Sequence, residues 1–148
     1  MTWVFLKVEG VQRLHDQQIE RFGGSPGLRD QGLLESAAAR AENTATYDEN
    51  ATIARIAASL AFGLIKIHAF IEGNKRIGAT ALITMLDLNG YRLACSEQEE
   101  TDMVRGVAAS DISEEEWTAW RSTASVNEKG ESEAEPSDRI GHFRFDPQ

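Results

Sequence analysis

The sequence predicts an all-α protein, one bundle of about six helices with room for a single short strand at its start. Three observations carry this prediction. Apolar residues recur at helical spacing through most of residues 8–122. Helix start signals stand in front of several of these stretches: Asp30, Ser96 with Glu99, and Ser113 with Glu116. Glycine-bearing breaks separate them, at Gly23-Gly24, Gly73 and Asn89-Gly90.

Residues 2–6, Thr-Trp-Val-Phe-Leu, are the candidate strand. Residues 8–22 place Val8, Val11, Leu14, Ile19 and Phe22 near one helical face, with His15 and Gln18 between them. Gly23-Gly24 ends this helix, and Ser25-Pro26-Gly27 turns the chain. Asp30 caps the next helix, which carries Leu33, Leu34 and three alanines at 37–39. Residues 41–50 are polar and threonine-bearing, show no helical period, and are expected to be a loop. Residues 51–67 form a helix apolar on most sides, with Ile53, Ile56, Leu60, Leu64 and Ile65, as a central helix requires. After the break at Gly73 a new helix covers roughly 75–88 and stops at Asn89-Gly90. Two capping boxes open the remaining helices, the second bearing Trp117 and Trp120. Past residue 122 the apolar content falls. Residues 1–122 are therefore read as the domain, and 123–148, with net charge −3, as an acidic and disordered tail.

Composition narrows the function classes. The chain has 148 residues, 41% of them hydrophobic and 26% charged, as a soluble domain with a real core has. Its single cysteine, Cys95, allows no internal disulfide and fits a reducing compartment. The N-terminus lacks the pattern of a signal peptide, and no apolar run reaches the ~20 residues that span a bilayer. A cytoplasmic location away from membranes is expected. The net charge of −9 argues against nucleic acid as a direct partner, because backbone binding needs clustered cations. It permits a basic protein partner.

One run stands out in chemical density: His68-Ala69-Phe70-Ile71-Glu72-Gly73-Asn74-Lys75-Arg76-Ile77-Gly78. Gly73 and Asn74 stand just before a helix, whose first N–H groups lack internal partners and carry the positive end of the helix dipole. Such a turn binds phosphate. Gly73 lets a ligand come close to the backbone, and Lys75 and Arg76 add cations in the same turn. Glu72 beside this anion nest makes sense as a Mg²⁺ ligand, since Mg²⁺ is usually held by one or two carboxylates plus substrate phosphates. His68 supplies an imidazole able to take a proton from an attacking hydroxyl. Phe70 and Ile71 are expected to anchor the run in the core. Together these parts suit the transfer of a piece of a nucleotide to a hydroxyl.

The run resembles the signature of the Fic/Doc family, His-x-Phe-x-[Asp/Glu]-Gly-Asn-x-Arg. His68, Phe70, Glu72, Gly73, Asn74 and Arg76 fill every fixed place. Phe22-Gly23-Gly24-Ser25-Pro26-Gly27-Leu28-Arg29-Asp30, Gly32-Leu33-Leu34-Glu35-Ser36-Ala37 and Ile112-Ser113 are similar to the Doc branch. The likeness covers residues 1–122. It implies the small helical Fic core, His68 as activator of a target hydroxyl and Glu72 as the Mg²⁺ ligand. It also implies that Gly73, Asn74 and Lys75 lie along an anion hole, Asn74 contacting phosphate, and that Arg76 clamps phosphate. The segment 41–50 falls where Fic proteins carry a flap that pairs with the target segment.

Lys75 stands where Fic AMP-transferases have a second glycine, and Doc-type toxins have Lys there. The resemblance therefore implies a toxin that moves the γ-phosphate of ATP to a Ser or Thr hydroxyl of a protein target, a translation elongation factor. AMP transfer remains the alternative, since Gly73 replaces the Ala of the Doc pattern. Lys66 matches a basic Doc position and is a further candidate phosphate contact. The inhibitory pattern [Ser/Thr]-x-x-x-Glu-[Gly/Asn] is not met before Glu9-Gly10, Glu42-Asn43 or Glu49-Asn50, where Phe5, Ala38 and Ala45 stand. A separate antitoxin acting in trans is the expected inhibitor.

Overall fold

Eleven of the fifteen residues of one helix, Ile53–Ile67, are buried, and the other elements are arranged around it. The computed structural model describes residues 3–133. In chain order it contains α1 (Val8–Phe22), α2 (Gln31–Tyr47), α3 (Ile53–Ile67), α4 (Asn74–Leu88), β1 (Arg92–Leu93), α5 (Glu97–Ala108), α6 (Glu114–Ala124) and β2 (Ser125–Val126). The predicted all-α class holds. The described residues add only one two-stranded antiparallel sheet, with Arg92 opposite Val126 and Leu93 opposite Ser125.

Helix α3 packs on α2, α4 and α6, with α5 closing one end. Ile53, Ile56, Leu60, Leu64 and Ile65 are at most 1% exposed, and each such side chain contributes about 1.5–3 kcal/mol when taken fully out of water. Two small contacts set how close the helices come. A Cβ on Gly78 would lie 2.4 Å from Ile65 Cγ1 and 3.2 Å from the Ala61 carbonyl, so α4 touches α3 nearly backbone to backbone. Trp117, fully buried, donates from Nε1 to the Ala58 carbonyl at 2.9 Å and ties α6 to α3.

The expected caps are present: Asp30 accepts from the Leu33 N–H, and Ser96 and Ser113 complete reciprocal capping boxes with Glu99 and Glu116. Thr52, not singled out from the sequence, caps α3 by accepting from the Arg55 N–H.

Three expectations are corrected. Residues 41–50 are not a loop: α2 continues to Tyr47, and only Asp48–Thr52 connects it to α3. The reason is a stripe of small residues. Leu34, Ala37 and Ala41 are buried, Ala45 packs beside them and Thr44 is half-buried, so that of the two threonines only Thr46 is exposed on this packed helix. Residues 3–6 form no strand. Val4 instead exchanges two hydrogen bonds, at 2.8 and 2.9 Å, with the Asn89 side chain, whose amide imitates a neighbouring peptide. The change of character at residue 123 has no counterpart in the fold up to residue 133. Helix α6 runs on to Ala124, β2 follows, and Asn127 accepts from the N–H groups of Lys129 and Glu131 to form a turn. The rest of the expected tail, 134–148, lies outside the described residues.

Candidate functional site

The loop 68–73 joins the end of α3 to the start of α4, and it is held from inside. Helix α3 stops because His68 takes the left-handed conformation, φ 58° and ψ 53°. That strain, which non-glycine residues rarely accept, is met by Arg29. Its Nε donates to the His68 carbonyl at 2.7 Å and its Nη2 to the Ile67 carbonyl at 3.2 Å, covering two helix-end acceptors. The N–H groups of Arg29 and Asp30 both donate to the Ala69 carbonyl, and that of Ile71 to the Gly27 carbonyl. The 22–30 turn thus lies along the loop.

Phe70 is 2% exposed and fixes the loop to the core, as expected. Ile71 does not: it is 57% exposed. The Phe70 ring stacks on His15 of α1, centroids 3.8 Å apart and planes 12° from parallel. Asn74 is buried, and its carboxamide makes a two-way bond with the Phe70 backbone. Oδ1 accepts from the N–H at 3.1 Å and Nδ2 donates to the carbonyl at 3.0 Å. The expected contact of Asn74 with phosphate would therefore be made by its backbone rather than by this carboxamide. The carboxamide braces the loop, and what Asn74 offers a ligand is its backbone N–H.

Gly73 is the N-cap of α4 at φ 84°, with no side-chain cap. Among the described residues, the N–H groups of Gly73, Asn74, Lys75 and Arg76 make no hydrogen bond, and the first in the helix to do so is Ile77, to Gly73. Four unspent donors at the positive end of a fifteen-residue helix are the kind of arrangement that an anion can bind. An open cavity of about 480 Å³ lies against it, floored by Glu72, Gly73, Asn74, Lys75, Arg76 and Ala79. Gln18, Ile19 and Gly23 from α1 and its end form one wall. Glu100, Thr101, Val104 and Arg105 of α5 form the other.

Lys75 and Arg76 are both exposed at this cavity, and the Arg76 guanidinium rests on the Phe22 ring, 4.4 Å from its centroid. Glu72 Oε2 accepts from the Ser25 N–H at 2.9 Å, which points the carboxylate along the glycine turn. The structure thus gathers Glu72, Gly73, Asn74, Lys75 and Arg76. His68 stands exposed at the other end of the loop and does not line the cavity. Lys66 is not gathered either: its Nζ donates to Ser110 Oγ, at the corner between α5 and α6.

Several residues at the site were not singled out from the sequence. His15 and Gln18 are the buried face of α1 together with Val11, at positions i, i+4 and i+7. That spacing was visible, and only their polarity hid it. Arg29 stood inside the Doc-like stretch with no role assigned to it, and Glu100 and Arg105 gave no local signal. Glu100 pairs with Arg121, which is fully buried with its guanidinium 4.0 and 4.6 Å from the Trp117 and Trp120 rings. Burial pushes the Glu100 carboxyl above the usual glutamate range, against the pull of Arg121, and pushes Arg121 downward. No helix among the described residues is long and apolar enough to cross a membrane.

A family model described as the Fic/DOC family matches residues 5–86. The chain is similar to "Protein kinase doc" of Escherichia phage P1, 31% identical over 105 residues that make up 71% of this chain and 82% of that protein. It is also similar to "Toxin Doc" of Mycolicibacterium smegmatis, 37% identical over 93 residues, 61% of this chain and 72% of that protein.

Proposed function

The chain belongs to the Fic/DOC family, and on that premise we propose that it is a Doc-type toxin that transfers the γ-phosphate of ATP to a Ser or Thr hydroxyl of a protein. A translation elongation factor is the proposed target and the cytoplasm the proposed location. The observation that carries the reading is the turn at the start of α4, where four free N–H groups and the side chains of Lys75 and Arg76 face one cavity. The names of the two relatives point the same way.

The turn binds and orients the triphosphate, with Arg76 able to grip two oxygens at once. Lys75 fills the place of a second glycine, so the nucleotide lies with its γ-phosphate toward His68. The His68 imidazole, held by no hydrogen bond among the described residues, takes the proton of the target hydroxyl. The hydroxyl oxygen bonds to the γ-phosphorus as the bond to the β-phosphate oxygen breaks, and ADP leaves. Glu72 fits a Mg²⁺ ligand: a hard carboxylate with one oxygen engaged by Ser25 and the other open. No group of three or more His, Cys, Asp or Glu residues among the described residues could cage a metal, which suits an ion shared with substrate phosphates. When bound, Mg²⁺ neutralises charge on the phosphates.

AMP transfer is the second reading, favoured by Gly73, which stands where the Doc pattern has Ala. ATP labelled at the γ or the α position, incubated with the chain and an elongation factor, decides. Label from the γ position alone on the target is the expected result. Label from the α position alone would replace the kinase reading, and no label with either, in protein free of antitoxin, would end both. The matching inhibitor is a separate antitoxin that covers the site in trans.

A further inference from the structure

The carbonyl and the N–H of one trans peptide point in opposite directions. In the Glu72–Gly73 peptide the carbonyl is held: His15 Nε2 lies 2.7 Å from it. A carbonyl only accepts, so Nε2 carries the proton. The other ring nitrogen, Nδ1, is buried and has no hydrogen-bond partner among the described residues. The ring cannot swing away, because it is fully buried and stacked on Phe70. A Cβ on Gly73 would meet Nε2 at 3.4 Å, so the ring lies directly beneath this turn.

We infer that His15 is a positioning residue that turns the Glu72 carbonyl inward and so aims the Gly73 N–H outward, at the anion site. It touches no substrate. It acts from the interior on the first of the four free donors, while Asn74 and Arg29 hold the loop on either side. A histidine that merely filled space would need the stack on Phe70 but not the bond to Glu72. The effect on rate rests on the phosphate-transfer reading, whereas the orientation of the peptide does not.

The test uses the full chain as wild type, His15→Leu and His15→Gln. Leucine keeps the packing and loses the donor, and glutamine places an amide nitrogen near the position of Nε2. Nitrogen-15 shifts of the His15 ring in the wild type should show a protonated Nε2 and a bare Nδ1. On titration with ATP and Mg²⁺ the Gly73 amide should shift strongly in the wild type and in His15→Gln, and little in His15→Leu. A misaimed donor should raise KM for ATP and lower kcat/KM about tenfold or more in His15→Leu, with His15→Gln within about threefold of wild type. A purely structural histidine would instead lower the folded fraction and leave KM unchanged. A proton on Nδ1, an unchanged Gly73 response in folded His15→Leu, or no rescue by glutamine overturns the inference. If the wild type transfers no label at all, the transfer reading fails, and the ring nitrogens and the Gly73 amide alone decide the role of His15.

Discussion

Replacing Asn74 by alanine tests whether this side chain braces the loop or touches the ligand. Its two hydrogen bonds, at 3.1 and 3.0 Å, satisfy both backbone groups of Phe70, and Asn74 is 8% and Phe70 2% exposed. Removal leaves a buried N–H and a buried carbonyl without partners. Each costs about 1–3 kcal/mol. Alanine is the better helix former, but that returns under ~0.7 kcal/mol at one position. Partial entry of water trims the sum, so Asn74→Ala should lose about 2–4 kcal/mol, a Tm drop on the order of 10 °C for a domain of this size. Urea unfolding monitored by tryptophan fluorescence measures it. Asn74→Asp separates the roles: it keeps the acceptor for the Phe70 N–H, loses the donor, and puts a negative charge at the start of α4. It should lose nucleotide binding out of proportion to stability. If Asn74→Ala unfolds within ~0.5 kcal/mol of wild type and only its KM for ATP rises, the side chain is a ligand contact and the bracing argument is wrong.

Two further substitutions probe the scaffold. Gly78→Ala should destabilise by about 1–3 kcal/mol, because the new methyl would stand 2.4 Å from Ile65 Cγ1; adding Ile65→Ala should recover part of that loss in a double-mutant cycle by thermal unfolding. Arg121→Met leaves the buried Glu100 carboxyl alone and should cost about 3–5 kcal/mol near neutral pH. The sign with pH follows from the direction in which burial already moves that carboxyl, above its ordinary 4.5. Its stability contribution is full below that value and is lost as pH rises through the higher folded value. The deficit of Arg121→Met relative to wild type should therefore shrink as the pH is lowered from 7.5 toward 4.5 in urea titrations. Replacing Glu100 by Leu in the same chain should restore stability at neutral pH, since an apolar pair needs no compensating charge.

Most of the helices were legible because their signals are local. The N-caps Asp30, Ser96 and Ser113 and the breaks at Gly73 and Asn89-Gly90 act within one turn of where they stand. Elements decided by distant partners were not legible. Helix α2 overran its expected end because alanines at 41 and 45 read weakly as a core face, while Thr44 and Thr46 read as loop. Burial against α3 outweighs threonine's cost of under ~0.7 kcal/mol. The two-residue strands β1 and β2 are too short to leave a periodic trace, and their pairing joins positions more than thirty residues apart. At the site, the residues facing the cavity from the motif were readable as chemistry. His15, Arg29 and Glu100 were not, since each gains its place only when another element packs on it.

The signature itself divides in a way that composition does not suggest. Of its six fixed residues, Phe70 and Asn74 have their side chains turned inward, one into the core and one onto the backbone of the other. Gly73 contributes a conformation and an approach. Only His68, Glu72 and Arg76 present functional groups outward. A binding module that had lost the reaction would still need the inward half to fold the loop, but would have no reason to keep the outward three together. Glu72 and Arg76 beside a turn with four unspent N–H groups, with the exposed His68 imidazole at the other end of the same loop, are therefore the stronger argument for the proposed transfer chemistry. The inward half explains why that turn is rigid enough to use: His15, Asn74 and Arg29 each bind a different carbonyl of the same short loop, and none of those carbonyls is left to compete with a phosphate for the donors above them.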